Sequence, residues 1–359
     1  MKVFAGATVT VARIAIGIAA FLVAALGVPL TNKLAVRLGA VVQPRGDRFS
    51  RRVVPVLGGL AVAAAVTAVA FAAVDEAPTL VAWLAGLVGL TAIGLVDDLS
   101  GVRPRYRLLA EAALGAGFTF VVFDDWSFWS RTAAVLVGFV AIPVVTNATN
   151  LIDNADGLAS SLSAETAMTV ALLAVAAGLR GNEVAIGLAV CGACLGFLVH
   201  NRPPARVFMG DAGSLMLGFA LAGAAILLVR DAIRHPDPPA AAAALAVPLA
   251  FVVQMGDVVM VSVTRIRRGV SPFRGGIDHT SHRLVRAGFG AWGMLGALAG
   301  AGAVCCGLGL VLVWSAPHPA VVIAAVIVAS LAALALETVV AVRFPAEPAM
   351  TRDATGGTR

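Results

Sequence analysis

The sequence predicts an all-α, polytopic integral membrane protein of about eleven transmembrane helices, and three observations carry that reading. Apolar residues make up 60% of the chain and charged residues 13%, with a mean hydropathy of +0.94, which excludes an ordinary soluble domain. Apolar stretches of about 17–25 residues, the length that crosses a hydrocarbon core, recur from end to end. Basic residues, finally, crowd into the connectors after spans one, three, seven and nine.

The expected spans are 14–30, 53–74, 79–96, 108–123, 133–150, 161–179, 184–200, 213–229, 240–263, 291–314 and 320–342. Arg13 stands at the outer end of the first, from where it can snorkel to the interface. That span is too long for a removable signal peptide and lacks the small-residue cleavage pattern. The second opens on Pro55-Val-Leu-Gly58-Gly59, where paired glycines permit close backbone approach to a ligand. The third ends in Asp97-Asp98, the fourth carries Glu111, and the fifth runs into a polar segment, Asn147 to Ala159. Cys191 and Cys194 of the seventh have redox-motif spacing, but no basic neighbour lowers a thiol pKa there, and both read as buried hydrophobes. Cys305-Cys306 in the tenth reads the same way. The eighth span follows Gly210-Asp211-Ala-Gly213-Ser214. The ninth holds Asp257, for which packing against a polar helix and a site role are both open. Together these spans form one transmembrane catalytic domain, 1–344, followed by a disordered cytoplasmic tail, 345–359, rich in Thr, Gly and charge.

The connectors after spans one, three, seven and nine, with the C-terminal tail, hold 20 of the 26 Lys and Arg residues. The opposite side holds only Lys2, Arg131, Arg180, Arg230 and Arg234, besides Arg13. Basic residues are retained on the cytoplasmic side, so the N-terminus is expected outside and the C-terminus inside. The net charge of +6 follows from this bias and implies no nucleic-acid partner. All the acidic islands then share the cytoplasmic face.

A carboxylate next to lipid costs several kcal/mol unless it faces water, protein or a cation, so each island asks for a reason. Adjacent Asp97 and Asp98 both stay ionised only beside a cation. With Arg103, Arg105 and Arg107 close by, they suit a metal-bridged phosphate, the alternative being a helix end closed by a salt-bridge cluster. Asn147, Asn150, Asp153 and Asp156 read as the wall of a polar site. Asp211 is either a helix N-cap or an acid in a Gly-rich turn with room for a substrate and exposed N–H groups. The last basic segment contains Asp278-His279-Thr-Ser281-His282-Arg283. Magnesium prefers all-oxygen ligands and zinc would want a third nitrogen or sulfur, so these histidines are expected to hydrogen-bond a diphosphate or a sugar. The first segment, with Lys33, Arg37, Arg45, Arg48, Arg51 and Arg52, reads chiefly as a topology anchor. Acids, arginines and Gly-rich turns on one face favour phosphoryl transfer.

In this order the motifs resemble those of the polyprenyl-phosphate N-acetylhexosamine-1-phosphate transferase superfamily, glycosyltransferase family 4, over spans one to ten. The family's Asp-Asp pair corresponds to Asp97 and Asp98. Its Asn-x-x-Asn-x-x-Asp-Gly-x-Asp-Gly-Leu run matches Asn147, Asn150, Asp153, Asp156, Gly157 and Leu158. Phe208 to Ser214 match Phe-Met-Gly-Asp-x-Gly-Ser, and His279, His282, Arg283 and Leu284 match His-x-His-His-Arg-Leu. The chain departs from the family at Arg105 and Arg107, usually lysines, at Glu111, usually Gln, at Asn154, usually Gly, and at Ser281, usually His.

The resemblance implies a catalytic set of Asp97, Asp98, Asp153 and Asp211. Magnesium, or manganese in its place, would be bound by Asp211 with Asn150 and Asp153. Asn150, Asp156, Phe208, Arg105, Arg107, His279, His282 and Arg283 would bind substrate, with Phe208 and Asp156 on the uracil. The implied reaction passes N-acetylhexosamine-1-phosphate, of the N-acetylglucosamine type, from a UDP-sugar to a polyprenyl phosphate at the cytoplasmic face of the plasma membrane. UMP leaves, and a first membrane step of envelope glycan synthesis is complete. The expected partners are UDP-N-acetylhexosamine, the polyprenyl phosphate lipid and the membrane, with a homodimer as one assembly. A phospho-N-acetylmuramoyl-pentapeptide transferase is the alternative within the family. A secondary transporter is the alternative outside it, but that would gather its acids at the midplane between inverted repeats.

Overall fold

Lipid offers no partners to backbone N–H and C=O groups, so apolar spanning stretches must pair them internally as helices. The computed structural model describes residues 2–43, 53–74, 76–271 and 276–345. Its helices are α1 (Lys2–Leu38), α2 (Gly59–Ala73), α3 (Ala77–Ser100), α4 (Pro104–Val122), α5 (Phe128–Ile152), α6 (Leu158–Ala176) and α7 (Asn182–Asn201). They continue with α8 (Gly210–Arg234), α9 (Pro238–Ala246), α10 (Val252–Arg267), α11 (Thr280–Leu284), α12 (Gly290–Ser315) and α13 (Pro319–Arg343). A 3-10 segment, Val247–Phe251, joins α9 to α10, and a π segment, Val285–Phe289, joins α11 to α12. The two-residue strands β1 (Val41–Val42) and β2 (Val54–Pro55) pair antiparallel, Val41 with Pro55 and Val42 with Val54.

Each of the eleven expected spans falls on a helix. Among the described residues nine helical segments are long and apolar enough to cross a membrane, with Pro238–Arg267 and Thr280–Ser315 each counted as one. The other two fall short: α2 has 15 residues, and α4 carries Arg105, Arg107 and Glu111. The first helix also runs on past Leu30 to Leu38, so Lys33 and Arg37 are helical and not part of a connector. Arg45, Arg48, Arg51 and Arg52, and the expected tail beyond Pro345, lie outside the described residues.

The bundle is organised around α8, whose most apolar window is 89% buried, against 6% for α13. Helix α8 packs on α2, α3, α5, α6, α7 and α9. Lipid tails supply no hydrophobic drive between helices, so association depends on small residues that let backbones meet. Gly218 of α8 is such a contact, since a Cβ there would stand 2.4 Å from the Thr146 Cα of α5. Below it, Trp83, Phe118 and Phe219 pack ring against ring with centroids 5.3–5.7 Å apart, joining α3, α4 and α8. The outer helices α1 and α13 expose Leu22, Leu26 and Leu30, and Val321, Val328 and Val342, on the surface that lipid would cover. Cys191 and Cys194 are buried free thiols, as their apolar surroundings imply.

The expectation for Gly58 and Gly59 needs correcting. Their N–H groups donate to the carbonyls of Phe208 (3.1 Å) and Met209 (2.9 Å), while Phe208 N–H donates to Pro55 O (2.8 Å). A Cβ on Gly59 would lie 2.3 Å from the Gly213 Cα. The close approach is therefore to the chain's own backbone at the start of α8, and not to a ligand.

The ninth span is broken where Pro248 withholds an N–H. There the Thr166 hydroxyl donates to Ala250 O (2.8 Å) and accepts from the Gln254 amide (2.8 Å), so α6 satisfies part of the interruption.

Gly218→Val should cost about 3 kcal/mol, the upper range for forcing volume into a packed core. Thermal unfolding in detergent checks this, and an unchanged Tm would contradict the α5–α8 contact.

Candidate active site

One end of the bundle is built around the meeting of α3 and α8. Gly101, at φ +76°, terminates α3 just after its two acids. Asp98 accepts the Asp211 N–H on Oδ1 (2.9 Å) and the Ala212 N–H on Oδ2 (3.0 Å). The carboxylate thus caps the positive end of α8 from another helix. Gly210 precedes these donors at φ +73°, and a Cβ there would meet Val56 O at 2.4 Å and Asp98 Oδ2 at 2.7 Å. Asp211 lies in the first turn of α8 but does not cap its own helix; Asp98 does that.

Asp97 turns the other way. Its Oδ1 accepts the Val102 N–H (2.6 Å) and its Oδ2 accepts from Arg107 Nη1 (2.9 Å). The same nitrogen donates to Asp211 Oδ2 (3.3 Å), so one guanidinium bridges two carboxylates. Arg107 Nη2 donates to Asn147 Oδ1 (3.4 Å), and its Nε stands 3.6 Å from Glu111 Oε1. Asn147 in turn donates to Glu111, which is fully buried. Asn150 donates to Asp211 Oδ1 (2.7 Å) and Ser214 Oγ (2.8 Å).

The loop between α5 and α6 makes the facing wall. Asp153 ends α5, and Gly157 at φ +76° starts α6. Asp156 accepts the Ala205 N–H on Oδ2 (2.8 Å). Burial raises its carboxyl pKa above the ordinary value, and that hydrogen bond offsets part of the rise. Asn201, at the end of α7, accepts from Gly157 N–H (3.0 Å) and Ser160 Oγ (3.0 Å) and donates to Val207 O (2.8 Å). It therefore ties the Asp156 loop to the segment that carries Phe208. On the last side, Arg265 grips Asp278 through Nε (2.9 Å) and Nη2 (2.7 Å). Burial opposes the Asp278 charge, but this fork holds its carboxyl below the usual range.

These walls enclose a cavity of about 600 Å³ lined by Asp98, Asn150, Asp153, Asp156, Asp211, Phe208, His279 and His282, among others. Eight of the twelve site residues expected from sequence therefore meet in one place. Asp97 and Arg107 stand directly behind Asp211. Arg105 does not join them: it lies over the Tyr106 ring, 4.8 Å from its centroid. Arg283 is buried away from the cavity and donates to Asp278 O (2.9 Å), Ala341 O (3.0 Å) and Phe344 O (3.0 Å), fastening α11 to the end of α13.

Among the described residues no group of three or more His, Cys, Asp or Glu is arranged to hold a metal ion alone. The donors that do converge, Asp211, Asp153 and Asn150, all offer oxygen. That set fits magnesium, which takes one or two carboxylates and completes its shell with substrate phosphate and water.

Sequence reasoning missed Asn201 as a site residue and left Asp257 open. An asparagine at the end of an apolar helix, just before Arg202-Pro-Pro, was the available signal for the first. The departures at Asn154 and Ser281 meet each other: the Ser281 hydroxyl donates to Asn154 Oδ1 (2.5 Å), while the Asn154 amide donates to Leu151 O (2.7 Å).

The model of the family described as glycosyl transferase family 4 matches residues 80–229. A protein of Streptomyces coelicolor named as a glycosyltransferase is 36% identical over 79% of this chain and 66% of its own length. A probable undecaprenyl-phosphate N-acetylglucosaminyl 1-phosphate transferase of Bacillus subtilis is 32% identical over 57% of this chain and 61% of its own. A phospho-N-acetylmuramoyl-pentapeptide-transferase of Desulforamulus reducens is 34% identical over 61% of this chain and 74% of its own. The chain thus spans slightly under two thirds of the first two relatives.

Asn201→Ala removes three hydrogen bonds from a buried position. It should destabilise the protein by about 2–3 kcal/mol, the cost of leaving buried partners unsatisfied. A Tm in detergent equal to that of the native protein would show that the two segments are held by other means.

Proposed function

The chain belongs to glycosyl transferase family 4, and we propose that it transfers an N-acetylhexosamine-1-phosphate, N-acetylglucosamine-1-phosphate first, from a UDP-sugar to a membrane polyprenyl phosphate. The observation that carries the proposal is the convergence of four separated motifs on one cavity, at the end of the bundle where the acidic and basic residues collect. The distribution of basic residues supports a cytoplasmic site in the plasma membrane, with the N-terminus outside. The Bacillus relative's name supports the sugar and the lipid.

In the reaction a phosphate oxygen of the lipid attacks the β-phosphorus of the UDP-sugar. A new P–O bond forms as the bond from that phosphorus to the bridging oxygen breaks, and the electron pair leaves on UMP. The lipid keeps the sugar as a diphosphate. A phosphate monoester is already nucleophilic near neutral pH, so the chain need not supply a base. Asp211, Asn150 and Asp153 would hold magnesium, which when bound would supply charge neutralisation on the diphosphate.

The protein's own residues orient the reactants. Phe208 offers a ring face to uracil, and Asp156, with one oxygen occupied by Ala205, accepts from the base edge with the other. His279 and His282 line the same cavity as Asp211 and would meet the diphosphate and sugar. Asp98 keeps the start of α8 in place and so aims Asp211. Arg107 holds Asp97 and Asp211 together and presents positive charge where the lipid phosphate arrives. Arg105 and Arg283 are not assigned to substrate.

The test is UMP release by detergent-solubilised protein given magnesium, polyprenyl phosphate and a panel of UDP-sugars. UMP released from UDP-N-acetylglucosamine is expected, whereas turnover of UDP-N-acetylmuramoyl-pentapeptide alone would select the related peptidoglycan reaction. No release from any UDP-sugar would sink the reading. Asp211→Asn should abolish turnover while the protein stays folded, and near-native activity with unchanged magnesium dependence would remove Asp211 from the metal. Phe208→Ala should raise the KM for UDP-sugar more than that for polyprenyl phosphate; equal effects argue against stacking. Arg107→Lys should cost about 1–3 kcal/mol in kcat/KM for the lipid, because a single ammonium nitrogen cannot keep the contacts that Nη1, Nη2 and Nε make at once to Asp97 and Asp211, Asn147 and Glu111.

A further inference from the structure

Asp257 lies in α10 and is 2% exposed, and no part of the reaction just described uses it. Its two oxygens are spent on two adjacent residues, His279 and Thr280. Oδ2 lies 2.7 Å from His279 Nδ1, and Oδ1 accepts the Thr280 N–H at 2.8 Å. The backbone donor on one oxygen favours a carboxylate that accepts on the other, which places the proton on Nδ1. His279, itself 4% exposed, lines the cavity. Its remaining polar atom is Nε2, on the opposite edge of the ring.

We infer that Asp257 is a positioning residue: it fixes the His279 ring and its Nδ1–H, so that Nε2 serves the diphosphate of the nucleotide sugar. The inference rests on the proposed reaction for what Nε2 meets, but the dyad itself is a property of the protein alone. When the ring also carries a proton on Nε2, the carboxylate balances the added charge and the imidazolium can donate to a phosphoryl oxygen.

The other charged groups around the pair come from three directions. Glu337 of α13 accepts from the Thr280 hydroxyl (3.3 Å). Asp278 is engaged by Arg265. The His282 ring lies 6.4 Å from that of His279, and Arg286 reaches the Ile277 carbonyl (3.2 Å). None of these groups is within hydrogen-bonding distance of His279 Nδ1 in place of Asp257.

The deciding measurement is imidazole ¹⁵N NMR of the full chain in detergent, with five histidines to resolve and the His279 signals assigned by their loss in His279→Gln. In the native protein the ring is expected to keep a proton on Nδ1 at every pH at which the protein is folded. A neutral His279 protonated only on Nε2 would overturn the inference whether or not any Asp257 variant folds. Alongside it, Asp257→Asn should lower kcat/KM for the UDP-sugar by about 10- to 100-fold, the size expected when the partner that orients a histidine is lost. The alkaline limb of its pH profile should also move to lower pH, and Asp257→Glu should restore part of both. A uniform loss with an unmoved profile would reduce Asp257 to a packing residue. Absence of UMP release by the native protein would count against the proposed reaction, while the NMR result would still decide the dyad.

Discussion

The junction between α3 and α8 depends on a single carboxylate. The N-terminus of α8, the most buried of the spanning helices, brings unpaired N–H groups and the positive end of a helix dipole to the wall of the cavity. Asp98 answers both with two hydrogen bonds from a neighbouring helix. Because Gly210 and Gly59 admit no Cβ, the backbones around that contact meet directly. Asp211 is consequently fixed by the geometry of two helices rather than by the rotamer of one side chain. The bridging Arg107, the Asn150 amide and the wall formed by Phe208 all take their positions from it.

The rest of the bundle solves the same problem in other forms. A polar atom among lipid-soluble helices has few partners, so each is matched specifically. Thr166 and Gln254 serve the interrupted ninth span, Asn201 holds two segments, and Arg283 collects three carbonyls with its buried fork. Polar groups at the cavity end form local clusters, around Arg107 and Asp211, around Asn201 and around Asp257, that together make a polar network about the cavity. This network gives a rigid frame to a cavity whose ligands are expected to be highly charged.

Much of this was legible in the sequence, and the reasons are physical. Hydropathy located the spans because length and apolarity are the requirements for crossing a bilayer. Asp98, Asp153, Asp156 and Asp211 stood out because an acid on an apolar background needs an explanation. The ends of helices were less legible, and α1 outran its apolar core because helix formation tolerates Lys33 and Arg37 beyond the bilayer. Roles of basic residues were hardest to read. Arg105, Arg107 and Arg283 look alike in sequence, yet they end on an aromatic ring, a pair of carboxylates and three carbonyls. Distant segments decided two of these outcomes, through Asp211 and Asn147 for Arg107 and through Ala341 and Phe344 for Arg283, whereas Arg105 turned to the ring of its own neighbour. Asp257 and Asn201 were obscure for the same reason, since one serves a residue 22 positions away and the other spans up to 44.

The contact between Ser281 and Asn154 bears on how this chain could have acquired its differences from its relatives. A side-chain amide facing the cavity loop and a hydroxyl on α11 satisfy one another, and neither change is self-sufficient. Reverting Asn154 alone to glycine would strand the hydroxyl, while placing histidine at 281 alone would crowd the amide it now meets. The two positions are therefore coupled through one hydrogen bond. A lineage that altered one would be under pressure to alter the other, and relatives should carry the pair together or not at all.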